Sequence, residues 1–184
     1  MITFQKIRWK NFLSTGNHWS EIDFQGNTTN LVVGTNGSGK STMLDALTFS
    51  LFNKPFRKVN KSQLINATNE KDCVVEVEFN VNNKNYLVRR SIKPNKFDIE
   101  VDGSLMHKES DDRINQKILE ENILKVNYKS FTQIVILGSS SFVPFMQLST
   151  SNRRDVIEDL LDIRIFSAMN TLIKEKIRTE KEKI

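Results

Sequence analysis

The sequence of 184 residues predicts an α/β fold. Three observations lead to this prediction. A glycine-rich segment lies between an apolar run and a helical pattern, two alternating segments read as a β-hairpin, and the C-terminal part carries an amphipathic helical pattern. The chain is long enough to bury a core without covalent staples. Its single cysteine, Cys73, excludes an intrachain disulfide and a cysteine-based zinc cluster.

The N-terminal third of the chain alternates between strand and helix patterns. Residues 2–8 and 18–24 alternate apolar and polar side chains and are predicted to be strands. The short apolar run Asn30–Val33 ends at a glycine and predicts a buried strand. Residues 40–52 place leucines at helical spacing, which predicts a helix that Pro55 stops.

The middle of the chain contains the predicted hairpin. Residues 73–81 and 86–92 alternate cleanly on either side of a polar turn, and residues 97–101 predict a third strand. Helical spacing predicts a helix over residues 110–124, and the apolar run Gln133–Leu137 predicts another buried strand.

A long helix is predicted to begin at Thr150. From this residue onward the chain has no glycine or proline, and apolar side chains recur every three or four residues. We therefore expect a lobe over residues 1–149 and the start of a coiled-coil helix over residues 150–184.

The most specific motif begins at residue 34 and fits the pattern G-x-x-x-x-G-K-[ST]. A chance match in a chain of this length has a probability of roughly one per cent. Glycines let successive backbone N–H groups point at phosphate oxygens, and the following helix presents its positive dipole end to the same anion. The pattern predicts ATP and Mg²⁺ as ligands, with the lysine reaching the phosphates and the serine hydroxyl ligating the metal. The predicted ATP-binding residues are Gly34, Thr35, Asn36, Gly37, Ser38, Gly39, Lys40, Ser41 and Thr42.

A second catalytic motif of such ATPases is missing from this sequence. Hydrolysis requires a carboxylate, usually after a run of four apolar residues, that holds the metal and polarises water. No segment of the chain fits this pattern. The sequence therefore predicts nucleotide binding without a complete site for hydrolysis.

Several segments together resemble the SMC-like ATPases. The similarity is strongest to the SbcC-type subunit of the recombination exonuclease, including its tailed-phage versions. It covers essentially the whole chain and corresponds to the N-terminal lobe and the first coils of the family's coiled coil. The segments that carry it are Lys10-Asn11-Phe12, Ile22-Asp23-Phe24, the loop from Gly34 with the following S-T-M-L-D-A-L, the strand Val75–Phe79 and the stretch from Phe131 through Leu160.

The resemblance implies a function for the complete protein. It implies an ABC-type head lobe with a mixed sheet that leads into a coiled coil, and ATP-driven closure of two heads that controls a partner nuclease on DNA ends. The implied partners are a C-terminal ATPase lobe of the same subunit, a second ATPase head, an SbcD-type nuclease and DNA. The signature motif, Walker B and zinc hook of the family are not in this sequence, so we expect a fragment or a split gene. No apolar run is long enough to span a membrane, and we expect a cytoplasmic protein, in the host cytoplasm if phage-encoded.

The resemblance also implies further site residues. Relatives carry a metal-orienting glutamine after the strand that ends here at Leu137, and the aligned position is Ser139. Gln133 lies at the start of that strand, too early for the role. Asn11, Asn66 and Thr68 are implied to lie near ATP, and a turn is the simpler alternative for the segment of Asn66 and Thr68.

Two basic clusters are candidate contacts for DNA phosphates. They accompany a net charge of +5, and a solvated surface is the simpler alternative for both. The first cluster consists of Lys54, Arg57, Lys58 and Lys61, and the second of Arg89, Arg90, Lys93 and Lys96.

The alternative function is a stand-alone P-loop nucleotide-binding module, such as a switch or a transporter-type ATPase, or an inactive fragment of another ABC-type ATPase. The helix from Thr150 discriminates between the two, because a transporter-type ATPase would continue into a compact helical subdomain at this point.

Overall fold

The computed structural model describes residues 2–27, 29–106, 111–136, 145–161 and 163–181. The chain divides into two compact units, residues 1–124 and 125–184. The predicted boundary at residue 149 remains a prediction. None of the helices in the described ranges is both long and apolar enough to cross a membrane.

A six-stranded sheet forms the first unit, in the order β2-β1-β3-β4-β5-β6, and every neighbouring pair of strands is antiparallel. The α/β fold class, the β-hairpin and the other strands predicted from alternation are confirmed. The strands are β1 (Ile2–Lys10), β2 (Ser20–Asp23), β3 (Cys73–Val81), β4 (Lys84–Ile92), β5 (Lys96–Val101) and β6 (Ser104–Leu105).

The inner face of this sheet carries the core. One cross-strand row on this face is entirely apolar, and its members are at most 5% exposed. Helix α1 (Thr42–Phe52) packs on this face, and nine of its eleven residues are buried. The rings of Phe12 and Phe49 lie 5.8 Å apart between their centroids. The apolar row consists of Ile7, Val77, Val88 and Ile99.

Arg90 holds the C-terminal end of α1. It lies on the inner face of β4 and is 5% exposed, and its Nε donates a hydrogen bond of 3.1 Å to the carbonyl of Ser50. Its Nη2 donates to Oε1 of Gln116 at 2.6 Å, and Nε2 of Gln116 donates to the carbonyl of Leu51 at 2.8 Å. The last four carbonyls of a helix have no partner within the helix, so these two side chains satisfy groups that would otherwise be buried alone. The guanidinium also lies 3.8 Å from the centroid of the Phe97 ring.

Cys73 begins β3 and is fully buried. Its sulfur lies 3.8 Å from the carbonyl oxygen of Leu64. Burial disfavours the charged thiolate and raises the pKa of this thiol to about 12. The cysteine is therefore a small apolar core residue rather than a nucleophile.

The predicted buried strand over Asn30–Val33 is wrong. This segment has no regular secondary structure and joins no sheet in the described residues, and Leu31 and Val33 are 86% and 81% exposed. A buried strand needs neighbours that supply backbone hydrogen bonds and cover its side chains. The segment adds no strand to the described sheet, which is antiparallel throughout rather than mixed.

The predicted helix over residues 110–124 is confirmed for most of its length. Helix α2 (Asp112–Ile118) begins after Asp111, whose Oδ1 accepts a hydrogen bond of 2.8 Å from the backbone N–H of Arg113. The chain then continues as a π-helical stretch over Leu119–Leu124. Residue 110 lies outside the described residues.

The second unit contains α3 (Tyr128–Ile134), α4 (Thr150–Leu160) and α5 (Arg164–Lys181). The predicted strand over Gln133–Leu137 is wrong for its described part, because α3 continues through Ile134 and Leu137 lies outside the described residues. Oδ1 of Asn127 accepts from the backbone N–H of Ser130 at 2.9 Å and caps the start of α3. The cap favours a helix that begins after Asn127. A short apolar run such as Gln133–Leu137 does not by itself show whether the segment is a strand or the end of a helix.

One continuous helix from Thr150 is also wrong, because helical structure stops at Leu160 and resumes at Arg164. The backbone N–H of Ile163 bonds to the carbonyl of Glu158 at 3.0 Å, five residues back, which closes the end of α4. Helix α5 exposes its apolar side chains, each at least half exposed: Ile165, Phe166, Met169, Leu172, Ile173 and Ile177.

We predict that Arg90→Ala lowers the free energy of unfolding by about 2–4 kcal/mol, because it leaves the buried carbonyl of Ser50 and the part-buried amide oxygen of Gln116 without this donor. Urea unfolding of the chain measures the change. Arg113→Ala is the matched control, since Arg113 is exposed on α2 and its removal should cost less than about 0.5 kcal/mol. Equal midpoints for the two variants would contradict the role of Arg90.

Candidate functional site

The predicted phosphate-binding loop lies directly before α1. Ser41 is the N-cap residue of that helix, and the N–H of Thr42 bonds to the carbonyl of Gly39 at 2.9 Å. Gly37 and Gly39 have φ of 84° and 92°, which residues with a side chain rarely adopt. The loop therefore curls back on itself and turns its backbone toward the N-terminal, electropositive end of α1.

Lys40 reaches across this loop. Its Nζ donates to the carbonyl oxygens of Gly34 at 2.6 Å and Thr35 at 2.8 Å. A Cβ at position 34 would collide with the hydroxyl of Ser38, so a residue larger than glycine there would require the Ser38 side chain to move. The ammonium group is thus held among the backbone groups that the motif predicts as the phosphate site.

A cavity of about 500 Å³ opens beside the loop. Among the described residues, the charged side chains that line it are two cations, Lys40 and Arg57, and its apolar lining comes from Leu13, Ile65 and Ala67. A cationic wall suits phosphates and an apolar wall suits a base, so the set of groups fits a nucleotide. The remaining lining residues are Ser14, Asn36, Gly37, Gly39, Ser41, Thr42 and Gln63.

Asp45 draws Arg57 to this cavity. Asp45 lies on α1 and is fully buried. Its Oδ1 accepts from the backbone N–H of Arg57 at 2.9 Å, and its Oδ2 accepts from Nε of Arg57 at 2.6 Å. The sequence pattern assigned Arg57 to a surface cluster for DNA. The pair with Asp45, twelve residues away along the chain, places it at the cavity beside the loop, and no local pattern indicates this pair.

Asn11 contributes by holding loops rather than by reaching the cavity. It is 2% exposed, and its Nδ2 donates to Oδ1 of Asn17 at 3.1 Å and to the carbonyl of Asp72 at 3.2 Å. Its Oδ1 accepts from Nδ2 of Asn69 at 2.7 Å. These three hydrogen bonds engage both polar atoms of the amide within the protein, so the side chain has a positioning role.

Asn66 has the same positioning role at the turn over residues 67–69. Its Oδ1 accepts from the backbone N–H groups of Thr68 at 2.9 Å and Asn69 at 3.0 Å, and its Nδ2 donates to the carbonyl of Leu13 at 3.2 Å. Ala67, between Asn66 and Thr68, lines the cavity. Of residues 66–68, the alanine is therefore the one that lines the cavity, and the proximity of Asn66 and Thr68 to ATP stays a prediction.

Ser41 is available for the metal-binding role that the motif predicts. Its side chain makes no capping hydrogen bond to α1, and the residue lines the cavity. Ser139, the other predicted metal neighbour, lies outside the described residues. Within the described ranges, no group of three or more His, Cys, Asp or Glu side chains could hold a metal ion.

The first basic cluster remains largely exposed. Lys54 and Lys58 are exposed, and Lys61 is half-buried with its Nζ 6.0 Å from the centroid of the Phe49 ring. Burial lowers the pKa of Lys61, and the nearby Arg90 adds to this effect.

The second basic cluster does not form one surface. Arg90 is buried under α1 and is not available to a surface ligand, which corrects its prediction as a DNA contact. Arg89 lies on the opposite face of β4, where its Nε donates to Glu76 at 2.5 Å and its Nη1 lies 3.5 Å from Glu100. The hydrogen bond to Glu76 raises the pKa of Arg89. Two adjacent residues of a strand point to opposite faces, which is the signal that could have separated them.

Comparisons with known proteins identify relatives of this chain. A model of the AAA domain family matches residues 6–184. The chain is 42% identical over 173 residues to "Exonuclease subunit 2" of Escherichia phage RB69, covering 94% of this chain and 31% of the relative. It is 31% identical over 182 residues to the SbcC component of the nuclease SbcCD from Staphylococcus aureus (strain Newman), covering 89% of this chain and 18% of the relative. The chain thus spans less than a third of the length of these relatives.

Solved structures show the same fold. One, described under "Structural biochemistry of ATP-driven dimerization and DNA stimulated activation of SMC ATPases", has a TM-score of 0.55 and 25% identity, and the match covers 86% of this chain and 99% of that one. The Smc head domain with a coiled coil and joint derived from Pyrococcus yayanosii has a TM-score of 0.54 and 21% identity, over 100% of this chain and 37% of that one. The resemblance to SbcC-type, SMC-like ATPases is confirmed. Because the family model extends over nearly the whole sequence, the chain belongs to the AAA domain family.

Proposed function

We propose that this chain is the ATP-binding, N-terminal part of the ATPase subunit of a nuclease complex that repairs or recombines DNA double-strand breaks. The observation that carries the proposal is the cavity beside the loop, where Lys40 and Arg57 provide positive charge and Leu13, Ile65 and Ala67 provide an apolar wall. The similarity to a phage exonuclease subunit and to SbcC supports the nuclease context.

ATP would be held by the loop residues 34–42 and the N-terminal end of α1. Phosphate oxygens would accept hydrogen bonds from the loop backbone and from the ammonium of Lys40, whose present acceptors are the carbonyls of Gly34 and Thr35. Mg²⁺ would be ligated by the hydroxyl of Ser41, with Ser139 nearby as the resemblance implies. The metal would supply charge neutralisation at the phosphates.

Two apolar surfaces support the proposal that the lobe functions as part of a larger head. Leu31 and Val33 are largely exposed although their sequence has the character of a buried strand. The apolar side of α5 is exposed along its length. Apolar side chains exposed in a row are typical of interaction surfaces. We assign the first surface to a C-terminal ATPase lobe, and the second to a returning coiled-coil helix and an SbcD-type nuclease.

Catalysis would belong to the assembled head. In the proposed mechanism a second ATPase head closes on the nucleotide bound here, closure repositions the nuclease on a DNA end, and hydrolysis resets it. The bound nucleotide acts by stabilising the closed arrangement, since it contacts both heads only in that state. This chain alone should not turn ATP over at a measurable rate, because its sequence lacks the Walker B carboxylate. Such a complex would act in the cytoplasm, which is that of the host cell if the protein is phage-encoded.

We predict that Lys40→Ala weakens ATP–Mg²⁺ binding about 10- to 150-fold, because it removes a charge-assisted contact to phosphate worth about 1.5–3 kcal/mol. Calorimetric titration of the chain measures the affinity. Lys58→Ala is the matched control, since it removes one positive charge from an exposed residue outside the cavity and should leave the affinity unchanged. Equal affinities for Lys40→Ala and wild type would refute the assignment of the loop.

A second prediction concerns the tail and separates the head-lobe function from a self-contained module. A helix of 18 residues that buries little apolar surface is marginal in water. We expect the amides from about residue 167 onward to exchange rapidly in the dilute chain, and to become protected when the C-terminal part of the subunit or an SbcD-type nuclease is added. Strong protection in a dilute monomer would instead favour the stand-alone P-loop module. The amides of β3 provide the internal control and should be protected in both samples.

A further inference from the structure

An exposed tryptophan lies on the outer face of the sheet, the face opposite α1. Trp19 directly precedes β2 and is 42% exposed. Cζ of Arg8 lies 4.8 Å and Nζ of Lys10 lies 5.3 Å from the centroid of its ring. Both cations come from β1, so an accessible aromatic surface is combined with positive charge. This combination is the chemistry by which proteins bind unpaired nucleotides, through a stacked base and a neighbouring phosphate.

Charge on the outer face is unevenly distributed along the strands. The strand register defines four cross-strand rows of outward-facing residues, of which three carry charged side chains and the fourth, Thr3, Asn80 and Asn85, carries none. The row at the end where β1 leads into residues 11–17 contains two lysines and no carboxylate, and we call it the basic row. Its members are Lys10, Val74, Ser91 and Lys96. The middle row contains Glu21, Arg8, Glu76, Arg89 and Asp98, and the far row contains Asp23, Lys6, Glu78, Leu87 and Glu100.

Ion pairs within the middle row explain why the basic row stands apart. The carboxylate of Glu76 is 4% exposed and accepts from both Arg8 and Arg89. The positive charge of these two arginines is therefore offset within the sheet. The far row carries three carboxylates and one lysine, so a polyanion would be repelled there. Of the three rows, the basic row with the adjoining indole of Trp19 is the one that offers both positive charge and an aromatic surface.

We propose that Trp19 and the basic row form a binding site for single-stranded DNA, in which the indole stacks on an unpaired base while Lys10 and Lys96 contact phosphates. The proposal rests on the proposed function only for its DNA substrate. A single strand is favoured over a duplex because the bases of a duplex are already stacked, and an indole on a sheet face cannot reach their surfaces. Lys10 and Lys96 lie three strand spacings apart, about 14 Å, so the site spans a few nucleotides.

The test is fluorescence anisotropy of the chain with labelled dT15, with an abasic strand of the same length and with a blunt 15-base-pair duplex, all at low salt. Trp19→Ala should weaken binding of dT15 about tenfold, the loss of one stacked base, and change duplex binding less than twofold. Trp19→Phe keeps an aromatic ring and should retain most of the affinity. Wild type should bind the abasic strand about as weakly as Trp19→Ala binds dT15, and this comparison needs no variant to fold.

Charge is tested separately with a matched pair of lysines. Lys10→Ala should weaken binding to dT15 and to the abasic strand alike and should reduce the salt dependence of binding. The control is Lys84→Ala, because Lys84 begins β4 and the basic row crosses that strand near its other end. This control should change neither the affinity nor its salt dependence. The proposal is overturned if wild type does not bind dT15 or if Trp19→Ala binds dT15 as tightly as wild type. It is also overturned if Trp19→Ala weakens binding of the duplex by the same factor as binding of dT15. ATP titration of Trp19→Ala, run in parallel, should match wild type, so loss of the DNA site leaves the nucleotide assignment standing.

Discussion

The burial of α1 against the inner face of the sheet is the interaction on which the first unit depends. Phe49 and Leu51 are fully buried there, and each such side chain contributes about 1.5–3 kcal/mol. The same helix is anchored at three levels. Its N-terminal end adjoins the phosphate-binding loop, Asp45 in its first turn holds Arg57 at the cavity, and Arg90 satisfies a carbonyl at its C-terminal end. The candidate nucleotide site is therefore an extension of the core rather than a loop attached to it.

Features of the sequence that depend on local chemistry were predictable. The hairpin of β3 and β4 follows from alternation, because one face of an antiparallel sheet is buried and the other is exposed. The tight loop before α1 follows from glycines and a lysine at fixed spacing, and its binding of phosphate stays a prediction. The segments Asn30–Val33 and Gln133–Leu137 were predicted as strands from apolar character alone, which does not show whether a neighbouring strand is present.

A count of neighbouring basic residues also does not show which face of the sheet each side chain occupies. The sequence pattern groups Arg89 and Arg90 into one patch, whereas the strand turns them to opposite faces, with Arg90 inside and Arg89 paired to Glu76. Arg90 lies two residues from each of the buried Val88 and Ile92 on β4, so strand alternation could have placed it on the same inner face. The pair of Asp45 and Arg57 had no such signal, since it joins a helix to an irregular segment. Charge counts along a sequence thus overstate the charge that a folded sheet offers to a ligand.

The buried position of Cys73 has a consequence for experiments on this lobe. The only sulfhydryl of the chain lies in the core, and its raised pKa keeps it protonated and unreactive at neutral pH. A cysteine introduced on the surface, for example on α5 or beside the cavity, would be the sole site that a maleimide dye or spin label modifies in the folded protein. Distance measurements between this lobe and an added partner can therefore be made with the natural cysteine left in place.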